Sequence, residues 1–320
     1  MFWRYNLCRF IQKRQRKNEN VFKNAQEFIY RYARPLDMAL WRYHFEGGSR
    51  NEVMDILSYY QNEDGGFGHA IEPDCWNNNS TAIGTWKAIS VLREVGIDAN
   101  NTIVKKILAY LESGIGVIDG MWCFTEKSNN DFPHAIWWEC QNGLGDPDDN
   151  PTISLAGFAL KYADKKSKLY KRAVDIVTER VNKFIKEPIC DMHTTRIYLE
   201  LYEYCLSIDG FDLFDLAACK SALYSAVQKT VCEDSNKWFT EYVCKPSMFY
   251  SSSKLIFEIL DRKLCKKEGE LLLNMQQSDG SYNVTWLWYN DYTEYYVAAN
   301  WWKSSMLITN MRYLKDLNLI

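Results

Sequence analysis

The chain has 320 residues, a net charge of -3, 47% hydrophobic and 25% charged side chains. That is enough apolar material for a substantial core, and it argues against wholesale disorder and against any general affinity for nucleic acid. Aromatic residues reach 15%, with 12 Trp and 21 Tyr, so either the core or an aromatic-walled cavity has to accommodate many rings.

In chain order, residues 1–20 read as a basic extension. Arg4, Arg9, Lys13, Arg14, Arg16 and Lys17 carry charge, while Trp3, Leu7, Phe10 and Ile11 can share one helix face. Such a segment can make a peripheral contact with an anionic membrane surface. Residues 21–320 read as one domain. Apolar residues recur there at helical spacing: Val53, Ile56, Leu57 and Tyr60; Ile103, Val104, Ile107, Leu108 and Leu111; Leu155, Phe158, Ala159 and Tyr162. Further stripes follow at Val174 to Phe184, Ile197 to Cys205 and Leu216 to Val227. Strands are nearly absent, the plausible extended pieces being "WCFTE" and "WFTEYV". No apolar run approaches a membrane span, and ten cysteines without a C-x-x-C pair or a signal peptide predict reduced thiols in a cytoplasmic protein.

Four turns look alike: "DGGF" at Asp64, "DGMW" at Asp119, "NKWF" at Asn236 and "DGSY" at Asp279. The gap between the second and third is about two periods, which points to a copy without its turn near "KEPICDMHTT". Hydroxyl-rich or acidic helix starts follow the turns, at "NNNSTAIGTW", "DDNPTISLAGF", "CDMHTTRIYL", "SMFYSSSKLIF" and "ANWWKSSMLI". Their side-chain oxygens suit the unpaired N–H groups of a first helical turn. Helix hairpins that cannot bury both faces alone must stack, and a stack that closes forms an all-α, α/α toroid of about five to six repeats. The loops before the inner helices would then crowd one mouth of a central cavity.

"YQNEDGGFG" and "MQQSDGSYNVTW" resemble the Q-x-x-D-G-x-aromatic repeat of the terpenoid cyclase and protein prenyltransferase superfamily, in Gln61 through Phe67 and Gln276 through Tyr282. The resemblance spans about residues 30 to 315. More narrowly, "EGGSRNEVMDILSYYQNEDGGFGHAIEPD", "FPHAIWWE", "NPTISLAGF" and "QQSDGSY" are similar to small bacterial prenyltransferase-like proteins. The superfamily resemblance implies that the Gln and the aromatic of each turn tie neighbouring helices together. Squalene-cyclase-like members use a D-x-D-D acid before an inner helix. The corresponding place after the first turn reads Asn77-Asn78-Asn79-Ser80-Thr81-Ala82, without an acid. A literal match at Asp146-Pro147-Asp148-Asp149 makes Asp148 a candidate, although Asn150-Pro151 separates it from Thr152. Prenyltransferases hold zinc with Asp, Cys and His; Asp74-Cys75 and His134 supply the residue types without the Asp-x-Cys spacing. The aspartate-rich helix that binds magnesium diphosphate is missing. No metal or cofactor is therefore expected, with Zn or Mg as the alternative.

The chemistry is expected in "GHAIEPD" and "FPHAIWWEC". Protonating an alkene requires a carboxylic acid kept neutral by burial, a partner that orients its proton, and walls that stabilise a cation without attacking it. Asp74 is the expected acid, His69 or His134 the orienting group, and Glu72 a secondary polar group. Trp76, Trp137, Trp138, Trp288 and Tyr289 are the expected walls around a hydrophobic isoprenoid or lipid. The implied function is proton-initiated isoprenoid cyclisation. The alternatives are a non-catalytic toroid that binds a lipid or peptide, and a carbohydrate-active toroid with paired acids.

Overall fold

A computed structural model describes residues 20–320, so the basic extension lies outside the described residues except for its last position. Helix α1 (20–32), α2 (Pro35–Phe45) and α3 (Arg50–Ser58) precede the first turn; α4 (Ala82–Val95) and α5 (Thr102–Ser113) follow it. Then come α6 (Asp149–Tyr162), α7 (Lys168–Lys186), α8 (Met192–Leu206) and α9 (Leu216–Thr230). Two single-turn helices, α10 (Ser247–Tyr250) and α11 (Ile256–Ile259), lead to α12 (Arg262–Met275) and the long α13 (Tyr295–Asp316).

The fold is thus predominantly helical, with one small antiparallel sheet in the order β1 (Val117–Ile118), β2 (Met121–Thr125), β3 (Asp146–Pro147). Val117 faces Trp122 and Cys123 faces Pro147. "WCFTE" overlaps β2, whereas "WFTEYV" forms turns and no strand, because Trp238 anchors a tight loop by donating from Nε1 to the Cys232 carbonyl at 2.8 Å.

Helix starts follow the capping chemistry. Thr81 accepts from the Gly84 N–H, Asp148 from Asn150, Asp191 from His193 and Thr194, and Ser49, Asn101, Ser167, Asp215 and Asp261 do the same for their own helices. Two expected starts fall elsewhere. The helix at "SMFYSSSKLIF" ends after one turn, since Ser252 and Ser253 turn their hydroxyls to Glu200 and Glu203. At "ANWWKSSMLI" the helix is already under way from Tyr295, with Ser304 inside it bonded to the Asn300 carbonyl.

The two Gln-containing turns are built alike. Gln61 donates from Nε2 to the Gly65 carbonyl at 3.0 Å and to Ile103 at the start of α5 at 3.2 Å. Gln276 donates to the Gly280 carbonyl and to Val21 of α1, both at 2.9 Å. Gly65 and Gly280 have φ of +94° and +91°, and a Cβ on either would come within 2.2 Å of the Lys106 carbonyl oxygen or 2.1 Å of the Asn24 carbonyl oxygen. Each turn therefore needs glycine both for its backbone and for its seat on a helix. Phe67 and Tyr282 are buried beneath these turns, as is Trp122 beneath "DGMW". In "NKWF" the buried ring is Trp238, one position earlier than the repeat predicts.

Hence the turn after α12 sits on α1 as the turn after α3 sits on α5. Tyr43 of α2 donates to the Val95 carbonyl of α4 at 3.5 Å; α4 packs on α6, α6 on α8, α8 and α13 on α10, and α13 on α2. Glu200 of α8 joins several of these elements: Trp86 of α4, Ser154 of α6 and Ser252 all donate to its buried carboxylate. Burial pushes that carboxyl up, but Arg93, Arg196 and these donors together hold it below the usual range. Among the described residues no helix is long and apolar enough to cross a membrane, and the described cysteines are free thiols.

Candidate functional site

Three loops between helices are laced together by their backbones. The Trp76 N–H donates to the Pro133 carbonyl at 2.9 Å and Ala135 N–H to Asp74 at 2.8 Å, so Cys75 and His134 form an isolated antiparallel bridge. The Ile136 N–H donates to the Trp288 carbonyl at 3.1 Å, and Asn290 Nδ2 to that of His134 at 2.6 Å. At the entry to the first loop His69 and Ala70 have φ of 56° and 58°. Two successive non-glycine residues in the left-handed region are costly, and such strain persists only where neighbours hold it. Arg34, just before α2, provides the hold: its guanidinium donates to the carbonyls of Ala70 and Ile71 at 3.0 and 3.2 Å and to Asp37 at 2.9 Å. This presents Glu72 and Asp74 inward, both buried.

Asp74 is bound by indoles. Trp288 Nε1 donates to Oδ1 at 2.6 Å and Trp286 Nε1 to Oδ2 at 3.1 Å. Burial, reinforced by the charge of Glu72, pushes the carboxyl up to about 7, while the indole donors pull the other way. Trp302 lies close enough to contribute to that pull, although its Nε1 closes no hydrogen bond.

Around this acid the rings and cations alternate. Trp76 stacks on Trp301 at 5.1 Å, Trp286 meets Trp302 edge-on at 5.4 Å, and Tyr242 meets Trp286 at 5.6 Å. Arg34 lies 5.2 Å over Trp301, Lys87 4.7 Å over Trp302 and Arg196 5.6 Å over Trp86. Burial raises the pKa of Glu72 and lowers that of Lys87, each shift being opposed by the charge of the other. Most of these aromatic and cationic side chains are half-buried rather than sealed, so they border solvent-accessible space.

The expected residues are distributed unevenly. Asp74, Glu72, Trp76 and Trp288 belong to this cluster. Trp137 is half-buried against the group formed by Cys75, Ala135, Trp138 and Trp288. Trp138 stacks on Phe124 at 4.6 Å and, with Glu72, Cys75 and Asn77, lines a small cavity of about 10 Å³, room for about one water.

Neither histidine bonds the Asp74 carboxyl. His69 is exposed and its Nε2 bonds Asn62 Oδ1 at 2.8 Å. His134 is buried beside Asp74 in the backbone pairing, but its Nδ1 is engaged by the Phe132 carbonyl at 2.6 Å and its ring faces Tyr292. The side chains that bond the Asp74 carboxyl are the indoles of Trp286 and Trp288. Asp148 is corrected as well: it is exposed and caps α6 by accepting from the Asn150 N–H at 2.8 Å. Tyr289 is 68% exposed and is no wall.

The residues that sequence reasoning passed over are Trp286, Trp301, Trp302, Lys87, Arg196 and Arg34. One signal was available in "TWLWY": alternate side chains of an extended segment share a face, and Trp288 is buried while Leu287 is 53% exposed. Burial pushes the Cys75 thiol up to about 12, Asp74 accepts from two indoles, and His134 is engaged at Nδ1 by the Phe132 carbonyl. Among the described residues no group of three or more His, Cys, Asp or Glu is placed to hold a metal ion. No family model, no curated protein and no solved structure matches this chain.

Proposed function

We propose that the helices close into an α/α toroid and that the protein is a terpenoid-cyclase-like enzyme, in which Asp74 protonates an isoprenoid chain in the indole-walled interior. The closure is supported by the turn after α12 seating on α1 and by α13 returning to α2. The observation that carries the chemistry is Asp74: a buried carboxyl raised to about 7, bonded only by indole N–H groups among side chains. Indole donors cannot take its proton, and their faces stabilise a carbocation without attacking it. Oδ1 is held by the shorter bond to the fully buried Trp288, whereas Oδ2 meets the half-buried Trp286. The transferable proton therefore belongs on Oδ2. It passes to a terminal alkene carbon and leaves Asp74 as a carboxylate, the neighbouring alkenes close on the cation, and a final C–H gives its proton back to that carboxylate through water, so that the product is neutral and the acid is restored.

The carbohydrate-active alternative has one observation in its favour. A surface groove of about 560 Å³ is lined by Asp64 and Glu126, and burial pushes Glu126 up to about 7. Both acids, however, serve the scaffold: Glu126 caps α4 at the Ala82 N–H, and Asp64 holds its turn through Gly66 and Ser80. No aromatic ring lines that groove.

The test is to incubate the protein in D₂O with a panel of prenyl diphosphates and squalene-like hydrocarbons. The expected product carries one carbon-bound solvent deuterium and is lost in Asp74→Asn. Product formed equally well by the variant, or formed without deuterium, removes the assignment.

A further inference from the structure

We propose that Cys232 and Cys244 form a site of reversible oxidative modification, at which a peroxide converts the two thiols into a disulfide that fastens the loop between α9 and α10. The inference makes no use of the reading of Asp74 as an acid.

The two cysteines stand near the ends of that loop, and their backbones meet. The Cys232 N–H donates to the Cys244 carbonyl at 2.9 Å. In an extended antiparallel pair, residues joined by such a bond have Cα atoms about 5.5 Å apart, inside the roughly 4.4–6.8 Å that a disulfide spans. Trp238 closes the same neck from within, its buried indole donating to the Cys232 carbonyl at 2.8 Å. The thiols themselves are weakly engaged. Cys232 Sγ meets the Asp234 carbonyl at 3.6 Å and Cys244 Sγ the Lys245 carbonyl at 3.9 Å. An S–H is a weak donor, so these contacts give way readily to rotation about each Cα–Cβ bond.

The pair is also asymmetric. Cys232 is half-buried, whereas Cys244 is 6% exposed and burial pushes its thiol up to about 12. Cys232 is thus the sulfur that an oxidant in solution reaches. Its sulfur attacks the O–O bond of the peroxide, and the departing hydroxide takes up the thiol proton as water, leaving a sulfenic acid. The Cys244 sulfur then attacks the Cys232 sulfur, the S–O bond breaks, and that hydroxide leaves with the Cys244 proton as a second water. Two thiols and one hydrogen peroxide give one disulfide and two waters, and a small dithiol reverses the change. Cys123, Cys140, Cys205 and Cys219 are buried, and the exposed Cys190 shares no backbone bond with another cysteine among the described residues. The fastened loop carries Tyr242, whose hydroxyl bonds His193 Nε2 at 3.0 Å and whose ring meets Trp286 at 5.6 Å, so the modification stiffens a segment bordering the indoles.

The test is to treat the whole folded chain with hydrogen peroxide, block the remaining thiols, and map disulfides by mass spectrometry of non-reduced peptides. The expected product links Cys232 to Cys244 and returns to two thiols with dithiothreitol. Cys232→Ser should abolish the link, and Cys190→Ser should leave it unchanged. In Cys244→Ser the sulfenic acid on Cys232 should persist, with dimedone trapping it in several-fold higher yield than in wild type. The proposal is overturned if Cys232 and Cys244 stay reduced, if either pairs instead with Cys190, or if their link forms only after the chain is unfolded in urea. Because no turnover is needed, a failure of the deuterium experiment leaves this result standing, and the reverse also holds.

Discussion

Replacing Asp74 by Asn should flatten the pH dependence of stability. The folded carboxyl titrates at about 7 against an ordinary value of 3.8, so the folded state holds this proton more tightly than the unfolded chain does. The sign follows: the contribution favours folding relative to the ionised reference at low pH and is lost as pH rises from the unfolded value through the folded one. With 1.36 kcal/mol per unit, the loss between pH 5 and pH 8 integrates to about 2.5 kcal/mol as an order of magnitude. Asn cannot ionise, and this loss should vanish from the variant.

The variant also incurs a constant penalty, because its amide NH₂ must face an indole N–H where a carboxylate oxygen accepted one, at about 1–3 kcal/mol. The comparison must therefore be of slopes, not of absolute stabilities. Urea unfolding of both proteins at pH 5 and pH 8, with equal m-values, gives the two differences directly. Parallel pH dependence in wild type and Asp74→Asn would refute the raised carboxyl and, with it, the reasoning from burial.

Two further perturbations probe the site and the scaffold. Trp288→Phe keeps the ring but removes the 2.6 Å donor to Oδ1; a lost bond to a charged acceptor should raise the Asp74 pKa by about one unit more, moving the high-pH limb of any activity profile upward. An unchanged limb would contradict the geometry. Gly280→Ala places a Cβ 2.1 Å from the Asn24 carbonyl at φ +91°, whereas Gly210, at φ +67°, has nothing within 4 Å. Both substitutions strain the backbone by about 1 kcal/mol or more, and only Gly280→Ala must also lift a turn from α1, so its denaturation midpoint should fall by clearly more than that of Gly210→Ala.

What the sequence revealed was local in origin. Thr81, Asp148 and Asp191 announce helix starts because a cap bonds within three residues of itself, and Gln61 with Gly65, or Gln276 with Gly280, marks a turn because both partners lie in one stretch. Asp74 was legible through Pro73, which keeps it out of a helix. Its indole partners were not, because Trp286 and Trp288 lie 212 and 214 residues away. The histidines misled for the same reason in reverse: a ring that is rare and reactive by type is satisfied by Asn62 or Phe132 nearby. Asp148 matched a motif letter for letter, yet its carboxylate accepts from the Asn150 N–H, since a carboxylate two residues before a backbone donor finds it first. The start of α13 was hidden because Glu294 makes no side-chain cap bond.

The direct measurement is the titration of Asp74 itself, by infrared difference spectra of wild type minus Asp74→Asn across pH 4 to 9. A protonated carboxyl that persists to neutrality and ionises near 7 is the predicted outcome. A carboxylate already formed at pH 5 would contradict it, and no acid would remain among the indoles to start the proposed reaction.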